Sequence, residues 1–213
     1  GEKKYKLEMD FYTRLKDWLE SGKAARSFPY EEQDSEFTKD LFLLTSKPII
    51  YIANVSEEDI NRESENPHVK ALSEIARADH AEMITVCASI EQELSGLEEN
   101  EKTEFLKELG IQESGLSKLI KAGYKLLGLI SFLTAGPKEV RAWTITEGTK
   151  ARQAAGKIHS DFERGFIRAE IVAFEDLMRC GSYAAAKEKG LVRLEGKDYV
   201  MKDGDVTLFR FNV

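Results

Sequence analysis

The stretch Lys47-Pro48-Ile49-Ile50-Tyr51-Ile52-Ala53-Asn54-Val55-Ser56-Glu57-Glu58 decides the fold class of the chain. Its continuous apolar run, Ile49–Ala53, is typical of a parallel strand that is covered on both faces. Pro48 stands at the first position of this strand, where its missing N–H does least harm. A polar loop begins at Asn54, and Glu57 follows three residues later. Ligands of open α/β sheets bind beyond the carboxyl ends of the strands, so this loop is placed to present an amide and a carboxylate to a ligand.

A second apolar strand, Met83–Cys87, follows a helix that is predicted over Pro67–Asp79. Strand, helix and strand make a βαβ unit, in which the two strands are parallel and the crossover is right-handed. The turn Cys87-Ala88-Ser89 is therefore expected at the same sheet edge as Asn54 and Glu57. Spacing alone also allows these two side chains to be no more than a loop cap.

Further helices are predicted around this unit. The first covers residues 3–26 and has two apolar stripes, which indicates either one member of a coiled-coil pair or an ordinary amphipathic helix packed on its own domain. A shorter helix is predicted over residues 34–46, with Asp34 as its N-cap. Two more are predicted, one over residues 91–109 with a break near Gly96 and one from Ser114 through Leu127.

After Gly128 the pattern changes to a small α+β domain. A hairpin is indicated by two β-rich runs joined by Ala135-Gly136-Pro137-Lys138. Its strands, and the elements predicted after them, are Leu129–Leu133, Val140–Thr146, a helix over Thr149–His159, a strand over Gly165–Phe174, a short helix over Ser182–Lys189 and short strands within Leu191–Val213. This order is that of a ubiquitin-like β-grasp.

Composition bounds the class of protein. The 213 residues include 42% hydrophobic and 32% charged residues, as in a globular protein. We find no apolar run as long as a membrane span and no secretory signal. The two cysteines match no metal or redox spacing and are expected to be reduced thiols, which indicates a cytoplasmic protein. The net charge of −7 argues against a general nucleic-acid binder. The chain opens on Gly1 within a helical pattern, so we expect that the start of a longer protein is missing.

Five stretches together resemble the YchF subfamily of Obg-like P-loop ATPases. They are Pro48–Glu57, Glu104–Gly128, Phe132–Trp143, Gln153–Glu170 and Leu194–Val213. The resemblance implies a partial nucleotide-binding domain of α/β fold, followed by a TGS domain of β-grasp fold. It implies three segments: residues 1–28 as the returning helix of a coiled-coil insertion, 29–127 as the C-terminal part of the nucleotide-binding domain, and 128–213 as the TGS domain.

The base-reading motif of this family is N-x-x-E, where ordinary GTPases have N-K-x-D. Here it is Asn54-Val55-Ser56-Glu57, and Cys87-Ala88-Ser89 matches the segment whose backbone amides close over the base. A glutamate is one methylene longer than an aspartate, and adenine has an amine where guanine has a carbonyl. The resemblance therefore implies that ATP is preferred over GTP. The nucleotide contacts it implies come from Asn54, Val55, Glu57, Cys87, Ala88 and Ser89.

Phosphate chemistry requires the pattern G-x-x-x-x-G-K-[ST]. None of the pairs Gly22-Lys23, Gly156-Lys157 and Gly196-Lys197 has this context, and the family's metal-binding Asp is also missing. ATP, more weakly GTP, and Mg²⁺ are therefore expected as ligands of the intact protein, with a P-loop segment outside this chain. We assign no catalytic residue and no metal ligand here, and expect the chain alone to be inactive.

Two other functions compete with a nucleotide-dependent, ribosome-associated factor. The chain could be a non-enzymatic module that binds ribosomal RNA or protein through its β-grasp surface, with Arg141, Lys150, Arg152, Lys157 and Arg168 as contacts. It could also mediate self-association through the first helix. Elsewhere, His159 is expected to be structural, and Phe166 and Ile167 are expected in the core, with Arg168 pointing outward.

Overall fold

The computed structural model describes residues 2–136 and 139–212, which form two compact units that divide between Gly123 and Tyr124. The helices are α1 Glu2–Glu20, α2 Ser35–Thr38, α3 Pro67–Ala78, α4 Ala88–Ser95, α5 Glu99–Glu108, α6 Gly115–Leu126, α7 Ala151–Ile158, α8 Ser160–Arg164, α9 Phe174–Cys180 and α10 Tyr183–Glu188. The strands are β1 Ile50–Asn54, β2 Glu82–Val86, β3 Leu129–Ala135, β4 Val140–Thr146, β5 Phe166–Ala173, β6 Arg193–Glu195 and β7 Asp205–Phe211. Residues Pro137 and Lys138 of the predicted hairpin turn lie outside the described residues.

The βαβ unit of the first part is confirmed. Strands β1 and β2 are parallel, with Asn54 opposite Val86, and α3 packs against both strands. The predicted burial of β1 on both faces is wrong, because Ile52 is 46% exposed and Ala53 is the buried residue of the strand. The sheet has two strands, so it is too narrow to enclose a strand as a wide sheet does.

The first helix is shorter than predicted. It ends at Glu20 rather than residue 26, because Gly22 adopts a positive φ of +79° that breaks the helical path. One face of α1 buries Phe11 and Leu15 against Phe28 and Phe37 of the segment that follows. The stripe of the helix that carries these two residues therefore packs on its own unit.

The helix predicted over residues 34–46 is absent from this part of the described chain. A 3₁₀ turn and the single turn α2 replace it, and Leu44 is 80% exposed. The buried carboxylate of Asp34 accepts hydrogen bonds from Arg14 Nη2 (2.9 and 3.2 Å) and from the backbone N–H of Glu31 (2.9 Å). Its oxygens bind these donors instead of capping a long helix, and Phe42, at φ 43°, turns the chain away.

The helical region after β2 follows the prediction with one shift. It is two helices, α4 and α5, interrupted around Gly96, and α4 begins at Ala88 rather than near residue 91. Helix α6 begins where predicted, and Ser114 Oγ accepts a hydrogen bond from the Ser117 N–H at 3.1 Å. The rim of the sheet at Cys87 is therefore directly continuous with a helix.

The second unit is a five-stranded mixed sheet in the order β4-β3-β7-β5-β6. The β3–β4 pair is antiparallel, as predicted, β3 and β7 are parallel, and β5 is antiparallel to β6 and β7. Helix α7 packs its alanines against a core that contains Phe132, Ile145, Ile171 and Phe209. Val172 and Val206 belong to a second cluster that includes residues of α9 and α10. Helix α9 was not predicted.

Two expectations on individual residues differ in outcome. His159 ends α7 and caps α8 by accepting a hydrogen bond from the Asp161 N–H at 3.2 Å, so its role is structural. The prediction that Ile167 is core is wrong, since it is 57% exposed, whereas Phe166 packs on the core as predicted. A register shift against β7 between Phe166 and Arg168 removes Ile167 from the regular alternation of faces.

Candidate functional site

The loops that follow β1 and β2 meet at one edge of the parallel sheet. The Val55 N–H donates to the Val86 carbonyl at 2.9 Å, which extends the pairing of the strands into the loops. The side-chain oxygen of Asn54 then accepts a hydrogen bond from the Ala88 N–H at 3.1 Å. The edge that the βαβ topology predicted therefore exists, and an amide side chain of one loop is bonded to the backbone of the other.

A second contact joins the same two loops. The hydroxyl of Ser89 donates to Glu57 Oε1 at 2.8 Å, and Cys87 Sγ lies 3.1 Å from the same hydroxyl oxygen. The structure thus brings together the residues that the sequence singled out in each loop. We call this edge the rim, defined as Asn54, Val55, Glu57 and Cys87-Ala88-Ser89.

The rim is open to solvent above a buried base. Asn54, Glu57, Ala88 and Ser89 are exposed, whereas Cys87 is buried and packs with Ile90 and Leu94 of α4. The polar groups can therefore reach a ligand while the backbone that carries them is held by the core. Cys87 has a packing role, as free cysteines in protein interiors usually do.

Helix α6 supports the rim from below, a feature that the sequence analysis did not find. The carboxylate of Glu91, in α4, accepts hydrogen bonds from the N–H groups of Gly115 (2.6 Å) and Leu116 (3.1 Å) at the start of α6. A carboxylate at a helix N-terminus is favourable because the free N–H groups and the helix dipole both attract it. The signal was the pair Ser114-Gly115, since glycine allows close approach to Val86.

The chemistry of the rim is that of hydrogen bonding to a planar polar group. Because Asn54 Oδ1 accepts from Ala88, the Nδ2 hydrogens are the groups that Asn54 can offer to a ligand. Glu57 contributes an acceptor whose second oxygen, Oε2, is not the one bonded to Ser89. Asn54 and Glu57 thus form a donor and an acceptor in neighbouring positions.

The described residues do not supply a Mg²⁺ site. Within residues 2–136 and 139–212 there is no group of three or more His, Cys, Asp or Glu side chains that could hold a metal ion. The rim itself has one carboxylate, and Mg²⁺ needs a near-complete shell of oxygen ligands. No step of phosphate chemistry can be assigned to these residues.

The five basic residues singled out in the second unit do not form one cluster. Lys150 pairs with Asp198 (2.9 Å), Arg152 Nε donates to the Glu163 carbonyl (3.0 Å), and the Arg141 guanidinium lies 4.1 Å from the centre of the Trp143 ring. Lys157 is half-buried to exposed along α7, and Arg168, which is exposed as predicted, stands opposite Arg210 on β7. The residues are therefore spread over α7, the strand β4 and the strand β5.

One acidic residue that the sequence placed at the surface is buried. Glu170 is 5% exposed and accepts hydrogen bonds from Arg210 Nε (2.8 Å) and the Tyr183 hydroxyl (3.0 Å). The Arg210 hydrogen bond lowers the pKa of Glu170, with a smaller lowering from Tyr183, against the opposing effect of burial. Burial and the adjacent carboxylate together raise the pKa of Tyr183 to about 12. This network stabilises the sheet rather than forming a second site.

Among the helices that the structure describes, none is both long and apolar enough to cross a membrane.

Comparison with known proteins identifies the family. Residues 129–212 match the family model YchF-GTPase_C, described as "Protein of unknown function (DUF933)". The chain is 57% identical over 207 residues to the ribosome-binding ATPase YchF of Bacillus subtilis, covering 97% of this chain and 57% of that protein. It is 44% identical over 216 residues to Obg-like ATPase 1 of Gallus gallus, covering all of this chain and 54% of that protein.

A solved structure agrees with these relatives. The YchF GTPase of Schizosaccharomyces pombe superposes with a TM-score of 0.82 at 35% identity, covering 96% of this chain and 55% of that one. The chain thus spans little more than half the length of the relatives it matches, and the likeness extends over both of its units. The chain belongs to the YchF subfamily of Obg-like ATPases.

Proposed function

We propose that this chain provides the base-recognition half of an ATP-preferring nucleotide site, joined to a ribosome-binding module, in a cytoplasmic protein of the YchF subfamily. The observation that carries the proposal is the rim, where Asn54 and Glu57 of one loop are each hydrogen-bonded to the loop at Ala88 and Ser89. In this proposal all six rim residues contact the nucleotide.

The preference for ATP follows from the hydrogen-bond pattern of the base. Adenine has an exocyclic amine, a donor, where guanine has a carbonyl acceptor. Glu57 offers an acceptor at the end of a side chain one methylene longer than aspartate, and Asn54 offers its Nδ2 donors to a ring nitrogen. An acceptor placed this way suits the adenine amine and repels the guanine carbonyl oxygen.

Phosphate binding and hydrolysis belong, in this proposal, to a P-loop segment outside the 213 residues. The chain has no G-x-x-x-x-G-K-[ST] pattern, and its described residues offer no Mg²⁺ site. ATP, Mg²⁺ and weaker GTP binding are therefore properties of the longer protein, and this chain alone does not turn over ATP.

We further propose that residues 128–213 are a TGS domain of β-grasp fold, that 29–127 complete the nucleotide-binding domain, and that 1–28 belong to a coiled-coil insertion. The strand order β4-β3-β7-β5-β6 supports the β-grasp assignment, because its outer hairpins flank a central parallel pair. The bacterial relatives are named ribosome-binding ATPases, which supports the ribosome as partner.

The decisive test exchanges one methylene. In the full-length protein, Glu57→Asp should shift the ratio of ATP to GTP affinity towards GTP by about tenfold, the effect of about 1.4 kcal/mol. The matched control is Glu58→Asp, which makes the same change at the adjacent exposed position. Affinities are measured by competition with a fluorescent nucleotide. A selectivity that is the same in both variants and the wild type would refute the assignment of Glu57.

A second candidate function is a module that binds RNA without a nucleotide, using Arg141, Lys150, Arg152, Lys157 and Arg168. The observation in its favour is that Lys150 and Arg152, like Arg141, hold exposed positions on the second unit. The purified chain should then co-sediment with ribosomes in the absence of nucleotide, and its affinity should fall steeply with salt. Binding that requires ATP and the longer protein would instead support the first proposal.

A further inference from the structure

The hydroxyl of Ser89 is locked between two partners. A serine hydroxyl carries a single hydrogen, and here that hydrogen is donated to Glu57 Oε1 over 2.8 Å. Cys87 Sγ lies 3.1 Å from the same oxygen. Because the hydrogen of Ser89 is already used, the Cys87 thiol must be the donor of that second contact. The result is a directed chain from the Cys87 S–H to the Ser89 O–H to the Glu57 carboxylate.

This chain is anchored in the core. Cys87 is buried, and the backbone of the next residue, Ala88, is tied to Asn54 by a 3.1 Å hydrogen bond. Ser89 lies in the first turn of α4, so its side-chain direction is fixed by the helix backbone. The hydroxyl therefore approaches Glu57 from a rigid element rather than from a mobile loop.

We infer that Ser89 is a specificity-determining positioning residue, which occupies one of the two oxygens of Glu57 and leaves a single acceptor for the nucleotide base. The inference rests on the proposed function of the rim. It gives Ser89 a role that acts through Glu57, in addition to the length of the glutamate side chain itself.

A single acceptor discriminates between purines. Guanine presents two adjacent donors, the ring N1–H and the 2-amino group, and a carboxylate with both oxygens free can accept from both. Adenine presents one donor group on that edge, its 6-amino group, next to an acceptor nitrogen. With one oxygen bonded to Ser89, Glu57 can satisfy the adenine amine in full, whereas guanine must leave one donor without a protein partner.

Inosine triphosphate reads this directly, because hypoxanthine is guanine without the 2-amino group. In the wild-type full-length protein the second acceptor is occupied, so GTP and ITP should bind with equal affinity. In Ser89→Ala both oxygens of Glu57 are free, so GTP should gain about threefold to tenfold over ITP. ATP affinity should change less than twofold, which serves as the internal control for folding of the rim.

Ser89→Thr is the conservative rescue. Threonine keeps the hydroxyl, so the GTP to ITP ratio of this variant should stay at the wild-type value. Dissociation constants for ATP, GTP and ITP are measured for the three proteins by competition against one fluorescent nucleotide. A general structural disturbance would weaken all three ligands together, whereas the inference predicts a change in one ratio.

The outcomes separate this inference from the proposed function. If the wild-type protein binds no nucleotide, or binds all three without preference, both fail. If ATP is preferred but GTP and ITP keep the same ratio in Ser89→Ala, Ser89 has no role in selectivity while the assignment of the rim stands. A GTP to ITP ratio that already exceeds about threefold in the wild type would also overturn the inference, because both oxygens would then be available.

Discussion

A single methyl group at Gly115 should disturb the support of the rim. Gly115 begins α6, and a Cβ built there would lie 2.7 Å from Val86 Cγ1, 2.9 Å from Val86 Cβ and 3.0 Å from Glu91 Oε1. Val86 is the last residue of β2, immediately before the rim turn. Gly115→Ala therefore forces either the end of the strand or the start of the helix to move.

The size of the effect follows from the crowding. Two of these separations are shorter than carbon atoms tolerate, and Val86 is β-branched, so it cannot rotate away freely. Overpacking of this kind costs about 1–3 kcal/mol. The helix also gains from losing a glycine, but the gain is at most about 1 kcal/mol. We expect a net loss of about 1–2 kcal/mol in the free energy of unfolding of the first unit.

The same helix offers a matched control. A Cβ at Gly123 would meet no atom within 4 Å, so Gly123→Ala should stabilise α6 by about 0.5–1 kcal/mol through helix propensity alone. The two variants should thus differ by about 2–3 kcal/mol, which in urea unfolding is a difference of about 1 M in midpoint. Circular dichroism of the purified chain measures this difference, and an unchanged slope confirms that the midpoints can be compared.

Nucleotide binding extends this prediction to the rim. In the full-length protein, Gly115→Ala should weaken ATP severalfold because Val86 displaces Cys87, whereas Gly123→Ala should leave it unchanged. If Gly115→Ala is as stable as Gly123→Ala, the contact between α6 and β2 relaxes without cost. The rim would then not depend on the close approach of the helix.

Three further changes test the packing of each unit. Arg14→Met should lower stability by about 3 kcal/mol in thermal or urea unfolding, because the carboxylate of Asp34, 1% exposed, loses its cationic partner. Glu170→Gln should remove a pH dependence: the lowered pKa of Glu170 means that its ion pair with Arg210 stabilises the wild type above about pH 4.3 and is lost as pH falls further, so unfolding free energies should converge in acid. Gly165→Ala should lower the midpoint of unfolding by more than either, since its Cβ would lie 2.0 Å from a backbone oxygen that cannot move aside; a midpoint within 1 °C of the wild type would contradict that reading of the contact.

The sequence predicted the rim because two simple rules act together there. Continuous apolar runs before Asn54 and Cys87 identified two strands, and a helix between them required a parallel pair. A parallel pair puts both strand ends at one edge, so the neighbourhood of Asn54 and Ser89 followed without coordinates. The individual hydrogen bonds did not follow, because they depend on side-chain rotamers that no periodicity encodes.

The failures have equally specific causes. Residues 34–46 have helical spacing, yet the carboxylate of Asp34 binds Arg14, which is 20 residues away, in preference to capping a helix. Glu170 was taken for a surface residue because a lone carboxylate is costly to bury, and its partners Tyr183 and Arg210 are distant in sequence. Long-range pairing of this kind overrides local propensity and is invisible in a single sequence.

Photolabelling would show most directly whether the rim reads the base. An ATP analogue with a photoreactive azide on the adenine ring is bound to the full-length protein, irradiated, and the modified peptides are located by mass spectrometry. We predict labelling of the loops at Asn54–Glu57 and Cys87–Ser89, suppressed by excess ATP and much less by GTP. ATP-protected labelling confined to other segments, with both loops unmodified, would contradict the account.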